Sequence, residues 1–148
     1  MYASVVTGPT PGMAFSNASV ALVHGMSRPI GAFFHVPLGL SNAMLLPEIT
    51  AFSVPAALER YADCARAMGV AEETEGNQAA AARLLDELRR LNADLQVPTP
   101  RAWGIDAARY EALLPVMASQ ALDSGSPANN PRIPTSDEII DLYRRVYG

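Results

Sequence analysis

The hydrophobic pattern splits the chain into one nearly continuous apolar stretch and a series of amphipathic ones. From Val20 to Leu46 the residues are apolar, small or uncharged, and only His24, Arg28 and His35 are ionisable. A helix that is apolar nearly all round belongs in the centre of a domain. Residues 13–34 are therefore expected to be mostly helical and interior, with a break near Ser16 and Asn17, which can cap a new helix. His24 and Arg28 are four apart and would share one helix face. Pro29 is better tolerated in a first turn than inside a helix, so a kink or restart is expected there. Val36-Pro37-Leu38-Gly39 reads as a turn, and residues 41–52 as a further apolar helix interrupted at Pro47.

Beyond Ser53 the helical period is plainer. Pro55 opens a predicted helix to Met68, with Leu58, Tyr61, Ala62, Ala65 and Met68 on one face and Gly69 just past its end. Residues 77–95 form the clearest amphipathic pattern, with a stripe of Ala81, Leu84, Leu85, Leu88, Leu91 and Leu95 and solvent-facing charges between. Glu72, Glu73 and Glu75 before it read as a solvated helix start. Residues 97–100 (VPTP) make a rigid link. Asp106 caps a short predicted helix, and Pro115 suits the first turn of the next, which runs towards Leu122. Residues 124–134 read as a loop. Thr135 and Glu138 have capping-box spacing before a last helix that carries Ile139, Leu142, Tyr143 and Val146. With no repeat, low-complexity tract or strand series, the expected fold class is all-α.

Composition narrows the functions. At 148 residues, 49% hydrophobic and 18% charged, the chain reads as one soluble globular domain. A net charge of -4 gives no electrostatic case for nucleic acid or an anionic membrane. All eleven basic residues are arginines, which removes the Schiff-base amine and the P-loop lysine. The lone Cys64 excludes an internal disulfide and fits a reducing, cytoplasmic compartment; inside an amphipathic helix it reads as core before nucleophile. Residues 1–23 carry no charge but no basic n-region either, and Pro9, Pro11 and Gly12 interrupt any spanning helix.

The motif content lies in the first third. Gly12-Met-Ala-Phe15-Ser16-Asn17 is followed by Leu22-Val-His24, Pro29-Ile-Gly31, Val36-Pro37-Leu38-Gly39, and Asn42-Ala43 through Leu46-Pro47. In order and spacing this resembles the signature segment of the iron-containing (group III) alcohol dehydrogenases, GxxFSN, LxHxxxHPxG, VPHG and xxNAxxLP. At lower specificity the resemblance continues through the Tyr61–Gly69 segment, the proline link, and Asn130-Pro131-Arg132 before the last helix. It covers residues 12–148 as the family's helical C-terminal domain, with residues 1–11 an unmatched, turn-rich lead-in. It implies a divalent metal, iron or zinc, and NAD(P), with alcohol and aldehyde interconverted by metal-assisted hydride transfer. It also implies an N-terminal nucleotide-binding domain, of which this sequence shows no part; no glycine spacing gives G-x-G-x-x-G.

The resemblance assigns His24 to the metal and places Phe15 and Arg28 at the substrate pocket. It also marks the departures. Arg28 stands where the family has its middle histidine, and Leu38 where it has the histidine of VPHG, a metal ligand. No counterpart is seen for the Asp and His ligands expected upstream. His24 is thus either a retained ligand position or an ordinary half-buried histidine, and Phe15 either a pocket wall or core. Arg28 cannot ligate a metal; it either clamps a carboxylate or phosphate or pairs with a protein carbonyl or acid. His35, eleven residues after His24, would need a chain reversal to join it, and two histidines alone make a poor site. The expected chain is inactive on its own. Its partners would be a separate nucleotide-binding chain, or copies of itself if it is a non-enzymatic, self-associating or partner-binding module.

Overall fold

The computed structural model describes residues 19–148, and among them no strand occurs. The described residues form seven α-helices: α1 (Leu22–Phe34), α2 (Leu38–Ser53), α3 (Leu58–Ala67), α4 (Asn77–Asp94), α5 (Pro100–Trp103), α6 (Ala107–Asp123) and α7 (Ser136–Tyr147). Short 3-10 turns at Val54–Ala56 and Ser126–Asn129 complete the chain. The fold is all-α. The expected lead-in at residues 1–11, the break near Ser16 and Asn17, and Phe15 lie outside the described residues.

The apolar run does form the centre. Leu22, Met26 and Ile30, one turn apart on α1, are fully buried together with Leu45, Leu114, Met117, Ile139, Leu142 and Tyr143 from α2, α6 and α7. Gly25 permits a close approach. A Cβ there would lie 3.2 Å from Pro127 Cδ and 3.3 Å from the Ala121 carbonyl oxygen, so any side chain would push the Ser126–Asn129 turn away. A smaller cluster of Ala62, Ala65, Ala80 and Leu84 joins α3 to α4. Arg66 clips that hairpin, donating to the Glu75 carbonyl at 2.7 Å and to Asn77 Oδ1 at 2.8 Å.

Three prolines lie inside helices: Pro29 in α1, Pro47 in α2 and Pro115 in α6. The sequence reading expected an interruption at each of the first two and a helix start at the third. Each helix instead runs through. A helical proline costs a hydrogen bond and crowds the carbonyl four residues back, and the surroundings meet that cost differently. Pro47 takes the usual partner from the Ala43 carbonyl, and Asn92 of α4 replaces it with an Nδ2 donor at 2.7 Å. At Pro29 the carbonyl four residues back is that of Gly25; the Met26 carbonyl, three residues back, accepts an additional bond from Tyr143 Oη at 2.7 Å. Pro115 and Glu111, four residues back, are both exposed, so water can serve that carbonyl.

Local signals elsewhere behave as expected. Thr135 Oγ1 accepts from the Glu138 amide and Glu138 Oε2 from the Thr135 amide, completing the capping box. Asp106 Oδ1 accepts from the Arg109 amide at 2.8 Å and opens α6. Gly69, at φ 73°, ends α3, with Val70 donating to the Ala65 carbonyl.

Four further expectations fail. Pro55 sits in a 3-10 turn, and Ala57 (φ -147°) separates it from α3. The expected turn at residues 36–39 is cut short, because Pro37 is already the N-cap of α2. Leu91 and Leu95, assigned to the buried stripe of α4, are 41% and 67% exposed. Helix α4 has 18 residues against 10 in α3, so its second half outruns the partner. Cys64, expected in the core, is exposed, as is Met68; α3 buries only Ala62 and Ala65.

Asn92→Ala should cost about 0.5–1.5 kcal/mol, the net worth of a hydrogen bond at a half-buried site. The penalty should shrink in a Pro47→Ala background, where the helix regains its own donor. Chemical denaturation of the four proteins in this double-mutant cycle measures the coupling.

Candidate functional site

The sequence reading gathers its chemistry on α1, and the structure separates those residues. His24 lies in the first turn, half-buried, and Arg28 one turn further on, exposed. Burial, and secondarily the positive charge of Arg28, hold the His24 imidazole below its ordinary pKa of 6.5, consistent with the two side chains sharing a face. Ser27, buried between them, returns its hydroxyl to the His24 carbonyl at 3.2 Å. Across the packing interface, Arg28 Nη1 donates to Ser126 Oγ at 3.5 Å. Asn129 Nδ2 ties the same turn to the Val20 carbonyl at 3.0 Å.

His35 does not join His24. It caps α1 in the left-handed conformation (φ 56°), with its amide bonded to the Gly31 carbonyl. Eleven helical residues separate the two by about 16 Å along the axis. The chain does reverse at His35, and the Val36 carbonyl then lies 3.3 Å from where a Gly31 Cβ would be. The imidazole itself stays exposed at the far end, beside a hollow of about 330 Å³ lined by Phe33, Phe34, Trp103, Asp106 and Arg109.

Leu38 opens α2 and is 54% exposed. An aliphatic side chain offers no lone pair to a metal. Among the described residues no group of three His, Cys, Asp or Glu side chains comes together. The Ser126 contact, ninety-eight residues from Arg28 in sequence, had no local signal by which to be found.

A sequence profile of the Fe-containing alcohol dehydrogenase family, C-terminal, matches residues 1–147. The chain belongs to this family. It is 35% identical over 136 residues to the lactaldehyde reductase of Escherichia coli (strain K12), a match covering 92% of this chain and 35% of that protein. It is 33% identical over 137 residues to the NADPH-dependent butanol dehydrogenase of Clostridium saccharobutylicum, again 92% of this chain and 35% of the relative. The crystal structure of a 1,3-propanediol oxidoreductase superposes with a TM-score of 0.83 at 33% identity, over 91% of this chain and 35% of that one. The chain thus spans 35% of the length of these curated relatives.

The iron in the family's name finds no fit in the described residues. A divalent metal needs several lone-pair donors around one point; here one imidazole stands beside a guanidinium and an uncharged, aliphatic neighbourhood. No helix among the described residues is long and apolar enough to cross a membrane.

Because the folded pKa of His24 is depressed, the unfolded chain takes up its proton first as pH falls. Stability from this residue is full above 6.5 and is lost as pH drops through the lower folded value. Melting temperature should therefore fall between neutral pH and about pH 5, and His24→Gln should flatten that slope.

Proposed function

We propose that this chain is the helical part of an alcohol–aldehyde oxidoreductase of the iron-containing family, and that as this polypeptide alone it performs no hydride transfer. The observation that carries the reading is Leu38. The residue after Pro37 opens α2 as a half-exposed aliphatic side chain, and the resemblance puts a metal-ligating histidine there. His24 is the one inherited metal position in the described residues. Without a closed ligand set, an alcohol oxygen meets no Lewis acid to favour its alkoxide.

Metal, iron or zinc, and NAD(P) belong in this reading to a fuller assembly. The name of the Clostridium saccharobutylicum relative supports NADPH there. Short alcohols, diols and hydroxyaldehydes are the substrate class that the relatives' names support. The partner proposed is a nucleotide-binding domain or chain, since no G-x-G-x-x-G occurs in this sequence. A reducing, cytoplasmic compartment fits the single cysteine, an exposed thiol. A second reading, a helical module that associates with itself or a partner, is favoured by Leu38, Leu95 and Ile133, which are 54%, 67% and 66% exposed. Light scattering separates the two, because mass rising with concentration favours the module and a constant monomer mass disfavours it.

The reading is tested by loading the purified chain with iron or zinc, beside His24→Ala, and measuring retained metal and NAD(P)-linked oxidation of 1,3-propanediol. Neither retained metal nor turnover is expected from either protein. One metal per chain, lost in the variant, together with turnover, would show a working site.

A further inference from the structure

Resting on that reading, we propose that the His24–Arg28 face of α1 has exchanged a cation site for an oxyanion site, with the Arg28 guanidinium as its donor and the Ser126 hydroxyl oxygen as the acceptor that holds the guanidinium in place. The fixed charge of this face is positive. Residues 1–47 contain no Asp or Glu at all, and the first acid, Glu48, faces Arg89 on α4 at 3.5 Å. The turn packed against α1, Ser126–Asn129, carries no ionisable group, and neither do its neighbours at positions 124, 125, 130 and 131. On α6, the acid nearest that turn in sequence is Asp123, which accepts from Ser119 Oγ at 3.3 Å.

Among the described residues Arg28 has no carboxylate within 4 Å. The ion pairs among the described residues use Arg66, Arg83, Arg89, Arg90, Arg132 and Arg144. A guanidinium has five N–H donors, and Arg28 directs one towards Ser126 Oγ at the long distance of 3.5 Å. Ser126 is only 2% exposed, so its hydroxyl is a fixed anchor rather than a mobile surface group. Ser27 and Pro29 on either side of Arg28 are buried, which fixes the backbone from which the side chain projects. The result is a planar fork held at one tine and open to solvent at the rest. That geometry suits a carboxylate or phosphoryl group. The same charge, which no accessible pH removes, repels a divalent cation approaching His24.

The shared chemistry is a small oxyanion, and its two sources are a hydroxy-acid carboxylate and a phosphoryl group. The test follows the Arg28 Nε–H and Ser126 amide resonances of the full chain while sodium acetate, or sodium phosphate, replaces chloride at constant ionic strength. Saturating shifts at millimolar anion are expected, and the tighter of the two anions names the source. Arg28→Gln should weaken the Ser126 response at least tenfold, whereas Arg28→Lys should keep part of it for phosphate. Arg28 is exposed, so unchanged near-ultraviolet dichroism should show that both variants remain folded. Linear shifts of equal size in the parent and Arg28→Gln would overturn the assignment. So would one cobalt(II) ion bound per chain and lost in His24→Ala. Cobalt binding without turnover would overturn the oxyanion site alone, whereas NAD(P)-linked alcohol oxidation by this chain would overturn the reading on which it rests.

Discussion

The structure depends on burying α1 from several sides at once. Leu22, Met26 and Ile30 bring it apolar contact on one line, and Gly25, Ser27 and Pro29 are buried as well. A helix so enclosed has little water at hand for backbone groups that its own ladder fails to satisfy, so a neighbour must provide. Tyr143 adds a hydrogen bond from its hydroxyl to the Met26 carbonyl of α1, and its own backbone carbonyl accepts from Tyr110 Oη at 3.1 Å. Burial pushes both phenols well above their ordinary pKa, so they remain donors at any physiological pH. Their rings meet edge to face, 6.3 Å apart, and lock α6 and α7 onto α1. None of these contacts involves a metal or a nucleotide.

That independence separates the inherited fold from the inherited chemistry. The features that hold this domain together concern packing: Gly25 against Pro127, the run of Leu22, Met26 and Ile30, and the helix begun at Pro37. The positions that the resemblance assigns to the metal, 24 and 38, are not buried. Leu38 is half-exposed and Arg28 exposed, so neither side chain belongs to the core. Such positions change with little effect on stability, and a domain can lose its site while keeping its shape.

Much of this was legible in the sequence because the signals are local. Thr135 with Glu138, Asp106, and Gly69 each act on backbone within a few residues, and each did so. The apolar run around α1 reported its burial through composition alone. The prolines misled because their compensation is remote: Asn92 lies forty-nine residues from the Ala43 carbonyl it serves. Leu91, Leu95 and Cys64 misled because periodicity shows which residues share a face, not whether a neighbouring helix is long enough to cover it. At the site, the i, i+4 spacing placed His24 beside Arg28, but the separation of His35 needed the helix to run unbroken through Pro29. Ser126 was beyond reach, as nothing near residue 126 names an arginine on α1.

The central claim is that α1 is held by packing and tyrosine hydrogen bonds without help from a metal. Amide hydrogen exchange along α1, with and without a chelator, tests it most directly. The account predicts that the amides of Met26, Ser27 and Ile30 exchange only through global unfolding, at rates the chelator leaves unchanged. Fast exchange along α1 that slows only when iron or zinc is added would contradict it.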